Sequence, residues 1–164
     1  MIPLPQLASM LRQERSVAPG SGGFDDRGAM ADEPLPFEQL DYLYIPSTDV
    51  ATDAAYFTEV LGGRKLFAID DDGTRVAMVE MTSGPPRLLF TDHLEGERAI
   101  AIYRVANLRA ALKTLKSHGW EPEGTFEIPQ GPCCSFATPA GHRVALYQLT
   151  RPQVEEHFLG RFDF

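Results

Sequence analysis

The sequence predicts an α+β chain made of two tandem βαβββ modules, and three observations carry that prediction. Runs rich in aromatic and β-branched residues read as strands, and amphipathic stretches between them read as helices. The order strand, helix, strand, strand, strand occurs twice between Phe37 and Thr150. Landmarks in the two halves keep a nearly constant spacing: Tyr42 and Ile100 are 58 apart, Gly62 and Gly119 are 57 apart, and Leu89 and Ala145 are 56 apart. Agreement within a residue or so at three separate places is the mark of a duplicated unit.

Taken in order, Leu40–Ile45 is the first strand. Ser47-Thr-Asp49 offers N-caps to a helix reaching about Leu61, with Ala54, Phe57 and Leu61 on one face and Gly62-Gly63 ending it. Lys65–Ile69 and Arg75–Thr82 are strands joined by Asp70-Asp-Asp-Gly73, and Arg87–Thr91 follows the turn Ser83–Pro86. In the second half Arg98–Val105 is a strand and Asn107 caps a helix. Its Leu108, Ala111, Leu112 and Leu115 fall at helical spacing, and Gly119 stops it. Gly124–Ile128, Cys133–Thr138 and Arg143–Leu149 complete the unit. This gives a flexible N-terminal arm over 1–36, a domain over 37–150 with module one at 37–94 and module two at 97–150, and a C-terminal tail over 151–164. A short helix is expected around Gln6–Glu14, and Met30 is a candidate natural start. The tail carries three Phe, which predicts packing on the sheet or against a second copy of the chain, a homodimer.

Composition narrows the partners. The formal net charge of −8 argues against nucleic acid or an anionic membrane, both of which demand a basic footprint. No apolar run approaches the roughly 20 residues needed to span a bilayer, and the N-terminus shows no signal-peptide pattern. Cys133 and Cys134 are adjacent, so a disulfide between them would be strained, and two reduced thiols in a cytoplasmic protein are expected.

The strand Leu40–Pro46, the capping Asp49, the helix motif Ala55-Tyr-Phe-Thr-Glu-Val-Leu-Gly62 and the closing run Thr138–Leu146 resemble the glyoxalase/bleomycin-resistance/dioxygenase group, the vicinal oxygen chelate superfamily. The resemblance covers about residues 37–150 and implies a curled mixed sheet whose two modules enclose a cleft. Members that do metal chemistry take His or Glu ligands from the first and last strands of each module. Here those four positions read Tyr42, Leu89, Ile100 and Ala145. Three are hydrocarbon, and a phenol is a poor ligand at neutral pH, so no metal and no other cofactor is implied. A one-residue shift in register gives Leu43, Phe90, Ala101 and Leu146, which are no better. His93, His118, His142 and His157 lie in a turn, at a helix end, in a turn and in the tail, and are expected as solvated surface residues.

Strand alternation places Tyr42, Tyr44, Leu89, Ile100, Ile102, Ala145 and Tyr147 on the cleft side, an apolar and aromatic lining with a few hydroxyls. The alternative is that these side chains simply fill the space. Arg87 and Arg143 occupy matching places in the two modules and are candidates to hold a carboxylate or phosphate; exposed strand-end arginines are the plainer reading. Cys134 and Phe136 are further lining candidates, and Trp120 is expected to pack beneath its helix. The expected function is metal-free binding of a small hydrophobic or aromatic molecule, for sequestration or sensing. The alternative is a lyase, isomerase or dioxygenase with an unforeseen metal site or with acid/base chemistry at Tyr42 or Glu80. No catalytic residue is assigned from sequence.

Overall fold

The two modules meet at the strand the sequence marks first. In the computed structural model, which describes residues 36–120 and 124–164, Gln39–Pro46 forms β1. The arm assigned to 1–36, but for its last residue, lies outside the described residues, as do the helix expected near Gln6–Glu14 and Met30. Module one continues with α1 (Val50–Ala55), β2 (Arg64–Asp71), β3 (Thr74–Glu80) and β4 (Arg87–Thr91). Module two comprises β5 (Ile100–Arg104), α2 (Leu108–Ser117), β6 (Phe126–Ile128), β7 (Gly131–Ala137) and β8 (Arg143–Tyr147). A short 3₁₀ helix, Pro152–His157, follows. The eight strands form one curled mixed sheet in the order β2-β3-β4-β1-β5-β8-β7-β6.

The register repeats the sequence offsets. Tyr42 and Tyr44 stand beside Arg87 and Leu89 in the parallel pair β1–β4, and Ile100 and Ile102 stand beside Arg143 and Ala145 in the parallel pair β5–β8. Where β1 and β5 meet antiparallel, Tyr42 faces Ile102 and Tyr44 faces Ile100. Each module therefore presents the same two rungs to the other.

One face of the sheet is concave and holds a core that includes Tyr42, Tyr44, Phe67, Ile69, Met78, Ile100, Cys133 and Tyr147. The other carries a helix on each module. On module one Val50 and Ala54 of α1 pack on Ala68, Ala77, Val79 and Phe90. On module two Leu108 packs with Val105 and Leu146, and Ala111, Leu112 and Leu115 are half-buried beside them. Both helices start on the expected caps: Asp49 accepts from the Thr52 N–H at 3.1 Å, and Asn107 from the Ala110 N–H at 2.9 Å. The first helix ends differently from expectation. Its last turn, Tyr56–Val60, widens to π pitch, which shifts the phase of the helix and leaves Leu61 49% exposed instead of on the packed face. The hairpin between β2 and β3 is also tighter than expected: Asp72 and Gly73 both take positive φ, the two-residue turn that suits twisted strands, and Asp70 and Asp71 remain in β2.

The tail packs on the sheet. The Ala68 N–H donates to the Arg161 carbonyl at 2.8 Å and the Asp163 N–H to the Ala68 carbonyl at 2.7 Å, so the chain end lies along β2. Phe158 packs on the concave core and Phe164 on the α1 core, whereas Phe162 stays 55% exposed.

Gly131 opens β7 with φ +153°, and a Cβ there would lie 2.1 Å from the Gln148 carbonyl oxygen. Gly131→Ala is expected to lower stability by roughly 3 kcal/mol in urea unfolding. Gly62→Ala, at φ +78° with nothing within 4 Å, is expected to cost about 1 kcal/mol. Equal losses at the two positions would contradict this packing.

Candidate functional site

The concave face encloses a small cavity of about 90 Å³. Tyr42, Tyr44, Leu89, Ile100, Ile102 and Ala145 all line it, joined by Phe67, Met78, Phe126 and Cys133 from the outer strands. Tyr147 lies just behind, with its ring centroid 6.1 Å from that of Tyr42. Cys134 and Phe136 are not in the lining. On β7 it is Cys133 that faces the cavity, while Cys134 pairs with Leu146 on the helix side and Phe136 packs against Trp120 at 4.6 Å between centroids. On this strand the side-chain alternation runs one residue out of phase with the sequence expectation.

The arginines do not converge. Arg87 sits beside Tyr42 and Arg143 beside Ile100, three strands apart in the sheet. Arg143 donates to the Glu95 carbonyl at 3.0 Å, outside the cavity. Glu80 is likewise outside it, ion-paired with Arg64 across the β2–β3 rung.

The polar groups of the cavity are of two kinds. The Tyr44 hydroxyl is hydrogen-bonded to His93 Nε2 at 2.7 Å, and His93 Nδ1 to the Thr91 hydroxyl at 2.7 Å. His93 is thus a half-buried member of a network and not a solvated surface residue, unlike the exposed His118, His142 and His157. Burial pushes the Tyr44 phenol well above its ordinary value, so it stays neutral.

The second group is built on Glu155, supplied by the 3₁₀ helix of the tail. Its carboxylate accepts from the Tyr42 hydroxyl and, at 2.7 Å, from Arg87 Nη1. Close by, Asp41 is 8% exposed and accepts from the Tyr147 hydroxyl at 2.5 Å and from Gln39 Nε2 at 2.9 Å. A register shift between Leu40 and Tyr42 makes this possible, because the extra residue turns Asp41 toward the side that Tyr42 faces. Burial, and then the charge of Asp41, raise the Glu155 carboxyl above the ordinary glutamate value. Burial, and then the bond to Asp41, raise the Tyr147 phenol. Neither carboxylate was singled out from sequence. Asp41 lies in a strand whose alternation hides the bulge, and Glu155 lies in a tail without periodicity.

The sequence matches no protein-family model and no curated protein. Solved structures do match. A methylmalonyl-CoA epimerase from Mycobacterium tuberculosis superposes with a TM-score of 0.61 at 16% identity, over 75% of this chain and 95% of that one. A hypothetical protein from Bacillus halodurans C-125 gives 0.57 at 13% identity, over 69% and 95%. A Streptomyces coelicolor methylmalonyl-CoA epimerase variant in complex with 2-nitronate-propionyl-CoA gives 0.55 at 14% identity, over 70% and 96%. The chain has the vicinal oxygen chelate fold. Identities this low carry the fold alone.

The four positions that the sequence resemblance marks for metal ligands, Tyr42, Leu89, Ile100 and Ala145, all line one cavity. They do not fit a divalent ion: three offer no donor atom, and the Tyr42 phenol is committed to Glu155. Among the described residues no three His, Cys, Asp or Glu side chains form a metal-binding group. No described helix is long and apolar enough to cross a membrane.

Both cysteines are reduced and buried, and burial raises both thiols, Cys134 to about 11. At pH 8 Ellman's reagent is expected to find no fast-reacting thiol in the native protein and both in denaturant. Prompt native labelling of one thiol would place Cys133 in an open cleft.

Proposed function

We propose that the cleft is a binding site for a small, largely apolar molecule, used without a metal to sequester or sense that molecule. One observation carries the reading: the cavity wall is hydrocarbon and aromatic, and its few polar side chains are Gln130, Tyr44 hydrogen-bonded to His93, and Tyr42 hydrogen-bonded to a Glu155 that Arg87 also holds. A wall of this kind gives affinity through apolar burial and orientation through a few fixed hydrogen bonds. About 90 Å³ is small beside the roughly 150 Å³ cavity that accepts benzene, so a ligand with an aromatic ring must move something aside.

A second reading is favoured by a different observation. Glu155 is a carboxyl of raised proton affinity at the cavity wall, hydrogen-bonded to a phenol. Such a pair suits proton transfer at carbon, and epimerases share the fold. Turnover of an acyl thioester that vanished in Glu155→Gln would select this reading over binding alone.

A thermal-shift panel of small aromatic and aliphatic molecules tests the binding proposal. A ligand at 100 times its Kd adds about 2.7 kcal/mol and raises Tm. Ala145→Leu, which fills the cavity from its wall, is expected to abolish that rise with little loss of Tm in the unliganded protein. If no member of the panel moves the Tm of the unmodified protein, the cleft is a filled core and the proposal fails.

A further inference from the structure

The cleft is partly filled by the chain itself. The segment 152–159 arches over the concave face between two anchors. At one anchor Arg151 donates to the Pro129 carbonyl at 2.7 Å and pairs with Glu127 at 2.7 Å, on the β6 edge. At the other, the Gly160 N–H donates to the Leu66 carbonyl at 2.9 Å, on β2. Among the described residues, the backbone hydrogen bonds of the arch reach only itself and its two flanks and no strand: Val154 N–H to Arg151, Phe158 and Leu159 N–H to Glu155, and Arg161 N–H to Phe158. In a helix with three residues per turn, positions three apart lie on one face. Glu155 and Phe158 have that spacing, and both turn into the cleft. The carboxylate sits on the Tyr42 hydroxyl and Arg87, and the Phe158 ring packs 5.9 Å from that of Phe67.

Resting on the reading of the cleft as a binding site, we infer that Glu155 and Phe158 are a built-in stand-in for the ligand, which is a monocarboxylic acid carrying an aryl or comparable apolar group. The arch supplies the two chemical features such a molecule has, a carboxylate and a ring, and it supplies them where the chain has prepared partners. Tyr42 and Arg87 recognise the carboxylate, and the apolar wall around Phe67 takes the ring. An incoming acid replaces Glu155 on the same two donors, Glu155 turns to solvent, and Phe158 leaves the space that the resting cavity lacks. No bond of the sheet has to break, because the arch carries its own hydrogen bonds. The arch is then a competitor that sets apparent affinity, since only the open fraction of the protein binds.

Isothermal titration with 4-phenylbutyrate and with the neutral 4-phenylbutan-1-ol tests this in the full chain. The acid is expected to bind at least tenfold more tightly than the alcohol. Glu155→Gln is expected to tighten the acid about fivefold or more and the alcohol by less, because it loosens the arch for both probes but removes a rival carboxylate only for the acid. Arg87→Met is expected to erase the preference for acid, and Phe158→Ala to tighten both probes. Equal binding of acid and alcohol in the unmodified protein and in Glu155→Gln overturns the carboxylate inference while leaving an apolar binding cleft in place. Absence of binding by either probe in the unmodified protein, Glu155→Gln and Phe158→Ala overturns the inference together with the binding reading beneath it.

Discussion

The antiparallel pairing of β1 with β5 is the constraint on which the rest of the structure depends. It sets Tyr42 against Ile102 and Tyr44 against Ile100, so that two copies of one rung pattern face each other across a local twofold relation. The parallel pairs β1–β4 and β5–β8 extend that pattern outward in both directions. Because side chains alternate between faces with period two, a slip of one residue at this junction would turn the tyrosines and isoleucines toward the helices and empty the concave face. The curl of the sheet, the apolar lining and the position of the cavity all follow from this register.

A concave apolar face has to be covered, and the tail covers it. Half-burying the ring of Phe158 contributes about 1–2 kcal/mol, and the partly exposed Arg87–Glu155 pair adds about 1 kcal/mol or less. The ring therefore holds the arch down and the ion pair aims it. These sums are small enough for a ligand's binding energy to overcome, whereas the sheet beneath is fixed by continuous ladders. The site is a rigid wall with a movable cover, and the cover is a short 3₁₀ helix outside the strand ladders.

How legible this was from sequence depends on periodicity. The duplicated unit, the eight strands, both helix caps and six of the cavity-lining positions could be read because alternation and helical spacing are geometric signals that survive in one sequence. Legibility failed where the period was interrupted, and on β7 where two adjacent cysteines left the phase of the alternation undefined. The π turn at Tyr56–Val60 rotated Leu61 out of the core, the bulge at Asp41 brought a carboxylate inward, and the phase on β7 fell on Cys134 where Cys133 lines the cavity. Glu155 and His93 could not be read at all, since their partners, Tyr42 and Arg87 for one and Tyr44 and Thr91 for the other, come from strands brought near by the fold. The three Phe of the tail were the one available signal that this segment packs, although they did not reveal that it packs in the cleft.

In this reading the cleft framed by β1 and β5 is a ligand site held by the chain's own tail. A crystal structure of the protein grown with saturating 4-phenylbutyrate tests it most directly. Density for the acid is expected between Tyr42, Leu89, Ile100 and Ala145, with its carboxylate on Arg87 and Tyr42 and with Glu155 and Phe158 swung outward. An acid bound elsewhere, with Glu155 still on Arg87 and Phe158 still against Phe67, would contradict it.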